Sequence, residues 1–471
     1  MMTRSAPDFI DAALIHCYHQ TRMHRQNSWW KEALRILKRE ARWLVPGIGV
    51  KRWVLTILAG VTLLAIGLAF LLINIYRTVP ESLAATVIAT VSLQFLDRLL
   101  RALIFGLVGL ALVGYGFWGL NRSLLRPFIQ PGKAIIDSVS AYRKKEKGPR
   151  VVVIGGGNGL STLLRGLKEH TRNLTAIVTV ADDGGSSGEL RRNMGVLPPG
   201  DIRNCLAALS DDEELLTQLF QYRFSDATGL GGHSLGNLFI TGLAEITGSF
   251  EEAIVESGRV LAVQGKVLPS TLTDVHLVAD VAVPEKTTGV RVKGESRITE
   301  AEGRVRRIWL EPDAPPAYPP ALQAILAADV LVIGPGSLYT SILPNLLVPD
   351  IVDAIRASKA IKFYICNLAT QRGETDGYST GDHVHAIEKH VGGRIFDLII
   401  CNNHWEGDLP RNVSWVTLDP ALEENYPLYL TDLSNDENPW RHDSRKLAQV
   451  VMDIYYDRTG PLPEKEQSPA G

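Results

Sequence analysis

Two adjacent carboxylates, Asp182 and Asp183, open a Gly-Gly-Ser-Ser-Gly run over 184–188. Paired acids of this kind suit Mg²⁺, which takes one or two protein carboxylates and fills its shell with phosphate oxygens. The backbone N–H groups that follow, with the Ser186 and Ser187 hydroxyls, suit the phosphate itself. A ligand-free Asx-turn is the alternative. Upstream, Gly155-Gly156-Gly157-Asn158-Gly159 forms a second loop of the same character. Glycines there let N–H groups approach a phosphate that a Cβ would keep away, and the positive end of the next helix faces the anion. A tight turn without ligand remains the other reading of that loop. The spacing is not G-x-G-x-x-G, because Leu160 stands at the third glycine position, and no Gly-Lys-Ser/Thr follows. No bound flavin or NAD is therefore expected, and a Rossmann oxidoreductase ranks low.

Four more polar loops accompany these two. LPPGDIRNCLAAL (197–209) places Asp201 at a helix start with Arg203 and Asn204 in the first turn. GGHSLGNLFITGL (231–243) sets His233, Ser234 and Asn237 near another positive helix end. An apolar strand in VLVIGPGSLYTSILPNLLV (330–348) runs into Gly336, Ser337 and Tyr339. FYICNLATQRGETDGYSTGDHV (363–384) carries Asn367, Thr370, Gln371, Glu374, Tyr378 and His383 after a strand. No general base is evident; His233 and His383 are candidates, though a lone loop histidine is more often structural.

These loops need a scaffold that brings them together. Val151–Ile154 and LTAIVTV (174–180) flank a helix from about Leu160, which makes a β-α-β unit. Short apolar runs without alternation fit strands buried on both faces of a parallel sheet. In such a sheet the strand C-termini share one edge, so the loops converge on one crevice. The expected fold is α/β: a Rossmann-like, mostly parallel, doubly wound sheet. VHLVADVAV, GVRVKGESRITE and GRVRRIWLE, within 260–311, look like a small antiparallel β excursion from it. Apolar residues make up 45% and charged ones 21%, which excludes a disordered or fibrous chain. Cys17, Cys205, Cys366 and Cys401 lie far apart, which argues against a disulfide scaffold or thiolate zinc site.

The front of the chain differs in kind. Residues 1–150 hold 21 Lys+Arg against 8 Asp+Glu, and the remainder holds 28 against 43. Trp53 to Tyr76 is 24 residues without a charge, about 36 Å as a helix and enough for a hydrocarbon core of about 30 Å. A second uncharged run, Ala102 to Leu120, has 19 residues. Ten Lys+Arg lie in 1–52, three in 77–101 and eight in 121–150. This bias predicts an α-helical membrane hairpin in the inner or cell membrane, with both termini and the nucleotide-binding domain cytoplasmic. Segment 28–45 has the pattern of a basic interfacial helix against anionic membrane lipid, or of an ordinary amphipathic helix. A nucleic-acid partner is not expected, because the body behind these charges is acidic. The resulting organisation is a basic segment (1–52), two spans (53–120), a basic linker (121–149), the nucleotide-binding domain (150–457) and a disordered tail (458–471).

The loop motifs VVVIGGGNGLSTLLRGLK, TAIVTVADDGGSSGELR, LPPGDIRNCLAALS, HSLGNLFI, GPGSLYTSILPNLLV and TQRGETDGYSTGDHV run in order through the domain. Together they resemble the gluconeogenesis factor (YvcK-like) family of the 2-phospho-L-lactate transferase (CofD-like) superfamily, with Asn158 where Thr is usual. The first 150 residues resemble membrane-anchored versions. The resemblance implies a crevice for a nucleotide diphosphate. In the YvcK-like branch, which these motifs fit better, the ligand is a UDP-sugar such as UDP-N-acetylglucosamine, linked to cell shape and envelope synthesis on gluconeogenic carbon. In the transferase branch, a GDP-activated phospho-acid group moves to deazaflavin Fo with Mg²⁺, and Asp182 and Asp183 become the catalytic metal ligands. The resemblance alone adds Arg441 as a charge partner for the diphosphate. Crevice proteins of this kind often pair, so a homodimer is an open alternative.

Overall fold

The structure, a computed structural model, describes residues 145–459 except 147, 212, 226–228, 283–288 and 302, with scattered positions between 61 and 115. The first expected span, the basic 28–45 segment and the tail beyond 459 lie almost entirely outside the described residues, as does much of the second span. Among the described residues no single helix is long and apolar enough to cross a membrane. The chain divides into two units between Arg143 and Lys144, and the following concerns the second.

Its chain order begins β1 (Val151–Gly155), α1 (Gly157–Leu167), β2 (Leu174–Val178), α2 (Gly185–Met194), α3 (Gly200–Leu209), α4 (Glu213–Gln221), α5 (Leu235–Thr247), α6 (Phe250–Val260) and β3 (Lys266–Pro269). An excursion follows: β4 (His276–Ala282), β5 (Val290–Lys293), α7 (Glu295–Glu300) and β6 (Arg304–Glu311). The main fold resumes with α8 (Pro319–Ala327), β7 (Val330–Ile333), a π-helical turn over Leu338–Ile342, α9 (Leu343–Leu346), α10 (Pro349–Ala357) and β8 (Ile361–Ile365). It closes with α11 (Thr380–Val391), β9 (Leu398–Asn402), α12 (Pro420–Glu423), β10 (Leu428–Thr431) and α13 (Ser444–Thr459).

Seven strands form one sheet in the order β10-β9-β8-β7-β1-β2-β3, every pair parallel. β1 is buried throughout, as are β7 and β9, because helices cover both faces. That double burial is why these strands show continuous apolar runs rather than alternation. Each fully buried Val or Ile contributes about 1.5–3 kcal/mol. The chain proceeds outward from β1 through β2 to β3, then returns to place β7 on the other side of β1. The topological switch point therefore lies between β1 and β7, and a crevice opens outside their C-terminal ends.

The excursion is the expected antiparallel sheet, ordered β5-β4-β6. It departs from the sequence reading at ESRITE, which is not a strand but α7. Gly294, at φ +110°, breaks the strand before it, in a conformation that strongly favours glycine.

Helix α13 packs against α1 at a glycine. A Cβ on Gly166 would collide with the Ser444 carbonyl and lie 2.7 Å from the Ala448 Cβ, whereas one on Gly242 in α5 would meet open space. Gly166→Ala should thus lose about 1–3 kcal/mol of stability through overpacking. Gly242→Ala should hold or gain up to about 1 kcal/mol from helix propensity. Urea denaturation of both variants checks the contrast, and equal effects would contradict this packing.

Candidate functional site

The crevice at the switch point is a cavity of about 620 Å³. Its floor is made by two glycine bends that touch. A Cβ on Gly159 would lie 2.5 Å from the Pro335 carbonyl oxygen and 3.0 Å from the Gly336 Cα. Gly157 has φ +61° at the first turn of α1, so the bend after β1 needs glycine on conformational grounds as well. Asn345 locks the two bends: its Nδ2 donates to the Gly155 carbonyl at 2.9 Å and to the Ser341 carbonyl at 2.8 Å. Asn367 Nδ2 donates to the Gly336 carbonyl at 2.9 Å, and Gln371 Nε2 to Ser337 Oγ at 2.7 Å.

Twelve residues singled out from the sequence line this cavity. Gly156, Gly157, Asn158 and Gly159 come from the β1 bend, Asp182 from the loop after β2 and Asp201 from the first turn of α3. Gly336 and Ser337 follow β7; Asn367, Thr370 and Gln371 follow β8; Arg441 arrives ahead of α13. Gln371 Oε1 is buried without a hydrogen-bond partner among the described residues, an acceptor on the cavity wall.

The other candidates sit behind or beside the wall. Arg203 and Asn204 line an adjoining hollow. Ser186, Ser187, Ser234 and Asn237 form a buried network under the Gly-Gly-Ser-Ser loop. Asn237 Nδ2 donates to Ser186 Oγ at 3.0 Å and to Ser187 Oγ at 3.3 Å, while Ser234 Oγ accepts from Arg203 at 2.6 Å. His233 joins it, with Nδ1 3.2 Å from Ser186 Oγ. Tyr339, Glu374 and Tyr378 are buried behind the π-helical turn, where the two tyrosine hydroxyls lie 2.8 Å apart. His383 is fully buried and bonded to the Ser379 carbonyl at 2.8 Å.

The adjacent aspartates have separate surroundings. Asp182 faces the crevice and accepts from Gly184 N–H at 2.9 Å. Asp183 Oδ1 accepts from the Ser296 N–H at 3.0 Å and its hydroxyl at 2.9 Å. It thus anchors α7. Among the described residues no group of three or more His, Cys, Asp or Glu is arranged for a metal ion. Mg²⁺ bridging a diphosphate needs only one or two carboxylates, and Asp182 can supply one.

Anchoring α7 delivers a residue that loop polarity did not flag. Glu295 lines the crevice beside Asp182 and Asp201. Burial and the neighbouring carboxylates push its carboxyl up to about 8. Burial, then Asp182, raises Asp201 to about 6, opposed by the Gly157 N–H that donates to it. His442, beside Arg441, also lines the cavity; burial lowers it to about 4, and its Nε2 lies 3.3 Å from the Cys366 carbonyl. Its place next to Arg441 was the available sequence signal.

Glu374 is 3% exposed, and no cation lies within ion-pair distance among the described residues. It accepts from Thr340 Oγ1 at 3.0 Å and Tyr339 N–H at 3.3 Å, tying the loop after β8 to the turn after β7. Burial pushes its carboxyl up to about 7. The folded state therefore keeps a proton that the unfolded chain releases near its ordinary value. The stabilisation is complete below about pH 4.5 and is lost as pH rises through about 7. Urea melts at pH 5.5 and 8.5 should show stability falling with pH, and Glu374→Gln should remove on the order of 1–3 kcal/mol of that fall. An unchanged pH slope in the variant would refute this assignment.

Comparison with known proteins agrees with this architecture. Residues 151–453 match the family described as 2-phospho-L-lactate transferase CofD. The gluconeogenesis factor of Bacillus subtilis is 45% identical over 318 residues, covering 65% of this chain and 98% of its own. A relative from Nostoc sp. PCC 7120 is 43% identical over 479 residues, covering 95% of this chain and 98% of its own. A crystal structure of a UPF0052 family member from Bacillus halodurans superposes with TM-score 0.60 at 45% identity, covering 65% of this chain and 99% of that one. The chain belongs to the CofD family and is a homologue of its gluconeogenesis factors.

Proposed function

We propose that the crevice grips the diphosphate of a nucleotide-sugar of the UDP-N-acetylglucosamine type, and that the protein is a membrane-anchored regulator of envelope synthesis and cell shape on gluconeogenic carbon. One observation carries the reading: the glycine bends after β1 and β7 meet at the switch point and line one cavity. The N-terminus of α1 adds its dipole there, and Arg441 supplies a cation. Mg²⁺ on Asp182 would offset the diphosphate charge. The relatives named gluconeogenesis factors support the link to gluconeogenic carbon.

The second reading is a transferase of the 2-phospho-L-lactate type, favoured by the family description and by the carboxylates on the cavity wall. Glu295 then answers the missing base, since a carboxyl raised to about 8 is close to the range that proton transfer at neutral pH requires.

Thermal unfolding with UDP-N-acetylglucosamine, GDP and NAD separates these. At 100 times Kd a ligand stabilises by about 2.7 kcal/mol, and the UDP-sugar is expected to do so while NAD does not. Absence of a shift with every uridine nucleotide would end the first reading. GMP release from the activated donor with Fo and Mg²⁺, abolished in Asp182→Asn, would establish the second.

The anchoring part of the proposal rests on the two uncharged runs and their basic flanks. The full chain should sediment with membranes and resist alkaline carbonate, its protease-sensitive domain accessible only from the cytoplasmic side. Recovery in the soluble fraction would remove the anchor from the proposal.

A further inference from the structure

Beside the crevice lies a second hollow of about 310 Å³, which shares Asn158, Thr162 and Arg441 with it. The two differ in their ionisable lining: the crevice mixes carboxylates with Arg372 and Arg441. Asp182, Asp201 and Glu295 stand in the wall of the crevice, whereas the hollow is lined by Arg165, Arg203 and Arg441 and, among the described residues, by no carboxylate.

Arg203 is the telling member. It is 9% exposed, and its guanidinium is held entirely by neutral acceptors. Nη1 donates to Ser234 Oγ at 2.6 Å and Asn237 Oδ1 at 3.1 Å, and Nε and Nη2 donate to Asn204 Oδ1 at 3.3 and 3.0 Å. Among the described residues no carboxylate lies within ion-pair distance of it. Asp201 and Asp182 act on this sunken cation only from beyond ion-pair distance, so burial still makes it costly to keep charged, and an incoming anion offsets that cost. Arg223 adds a further positive field from the end of α4, and Gln221 and Thr217 supply neutral polar groups. Arg203 also reaches the buried network beneath the Gly-Gly-Ser-Ser loop, so its position is fixed by the fold rather than by a ligand.

We propose that this hollow is a second anion subsite, which takes a phosphate or carboxylate group next to the diphosphate grip. The anion is either a second charged group of the crevice ligand or a separate small anion; both make the same charge-assisted hydrogen bonds to guanidinium. The positive hollow does not depend on which nucleotide fills the crevice.

Titration calorimetry on the full-length protein in detergent micelles, at 150 mM salt to screen long-range fields, tests this with inorganic phosphate, UDP, and phosphate after saturation with UDP. Arg165→Ala changes a half-buried helix position, and Arg203→Gln keeps a hydrogen-bonding group in the network. At least tenfold weaker binding of one anion in both variants is expected. Loss confined to phosphate added over UDP identifies a separate anion. Exclusion of phosphate by UDP, with UDP itself weakened, identifies a group of the ligand. If UDP never binds but phosphate binds through these arginines, the subsite stands and the nucleotide reading falls. Affinities within twofold of wild type in Arg165→Ala, or no binding of either anion by the wild type, overturn the subsite. Should Arg203→Gln fail to fold, Arg165→Ala decides alone.

Discussion

The site depends on one contact: the backbone of Gly159 against the backbone of Pro335 and Gly336. Two chain reversals can come this close only where one side carries no Cβ, and only if the strands that feed them are neighbours. Adjacent pairing of β1 and β7 provides the second condition, and Asn345 holds the distance from beneath. Both bends then line a common space. The long crossover that places β7 beside β1 is thus not decoration of a sheet but the step that makes a binding site from two ordinary turns.

A second constraint works through the excursion. Three antiparallel strands carry no crevice residue themselves, yet they support α7, whose first residue is Glu295. Asp183 secures that helix through Ser296, and a Cβ on Gly294 would collide with the Asp183 carboxylate. The adjacent aspartates therefore divide the work between them. One faces the ligand space, and the other positions the element that brings a further carboxyl to it.

Much of this was legible in the chain. Parallel strands buried on both faces leave continuous apolar runs, and loops after such strands must share an edge, so the convergence of the 155–159, 182, 336–337 and 367–371 segments followed from pattern alone. What pattern could not supply was the side of each loop that faces the cavity. Ser186, Ser187, Ser234 and Asn237 have the polarity of ligand groups, but they satisfy one another and Arg203 in the interior. Glu374, Tyr339 and Tyr378 behave similarly behind the turn after β7. Buried polar clusters and ligand sites draw on the same residue types. Glu295 was missed for the opposite reason. It sits in a stretch whose neighbours are β-prone, and tertiary anchoring by Asp183 overrides the local tendency.

Asp201 links the glycine bend to the acidic side of the crevice. Its carboxyl accepts from the Gly157 N–H, and a Cβ on Gly156 would lie 2.5 Å from its Oδ2, so it occupies the ground at the start of α1 where a phosphate would sit. Helix N-termini stabilise negative charge, yet burial and Asp182 still hold this carboxyl up at about 6. A phosphate seeking the same N–H must share it with a carboxyl that is already strained electrostatically. Relief is available in three forms: protonation of the acids, a cation between them and the phosphate, or a shift of the anion toward the arginine side. The third of these is a geometric option, since Asn158 and Thr162 belong to crevice and hollow alike. The position an anion adopts along this trough is therefore set by the balance between the acid wall and the arginine wall, with the glycine cradle as the fixed point between them.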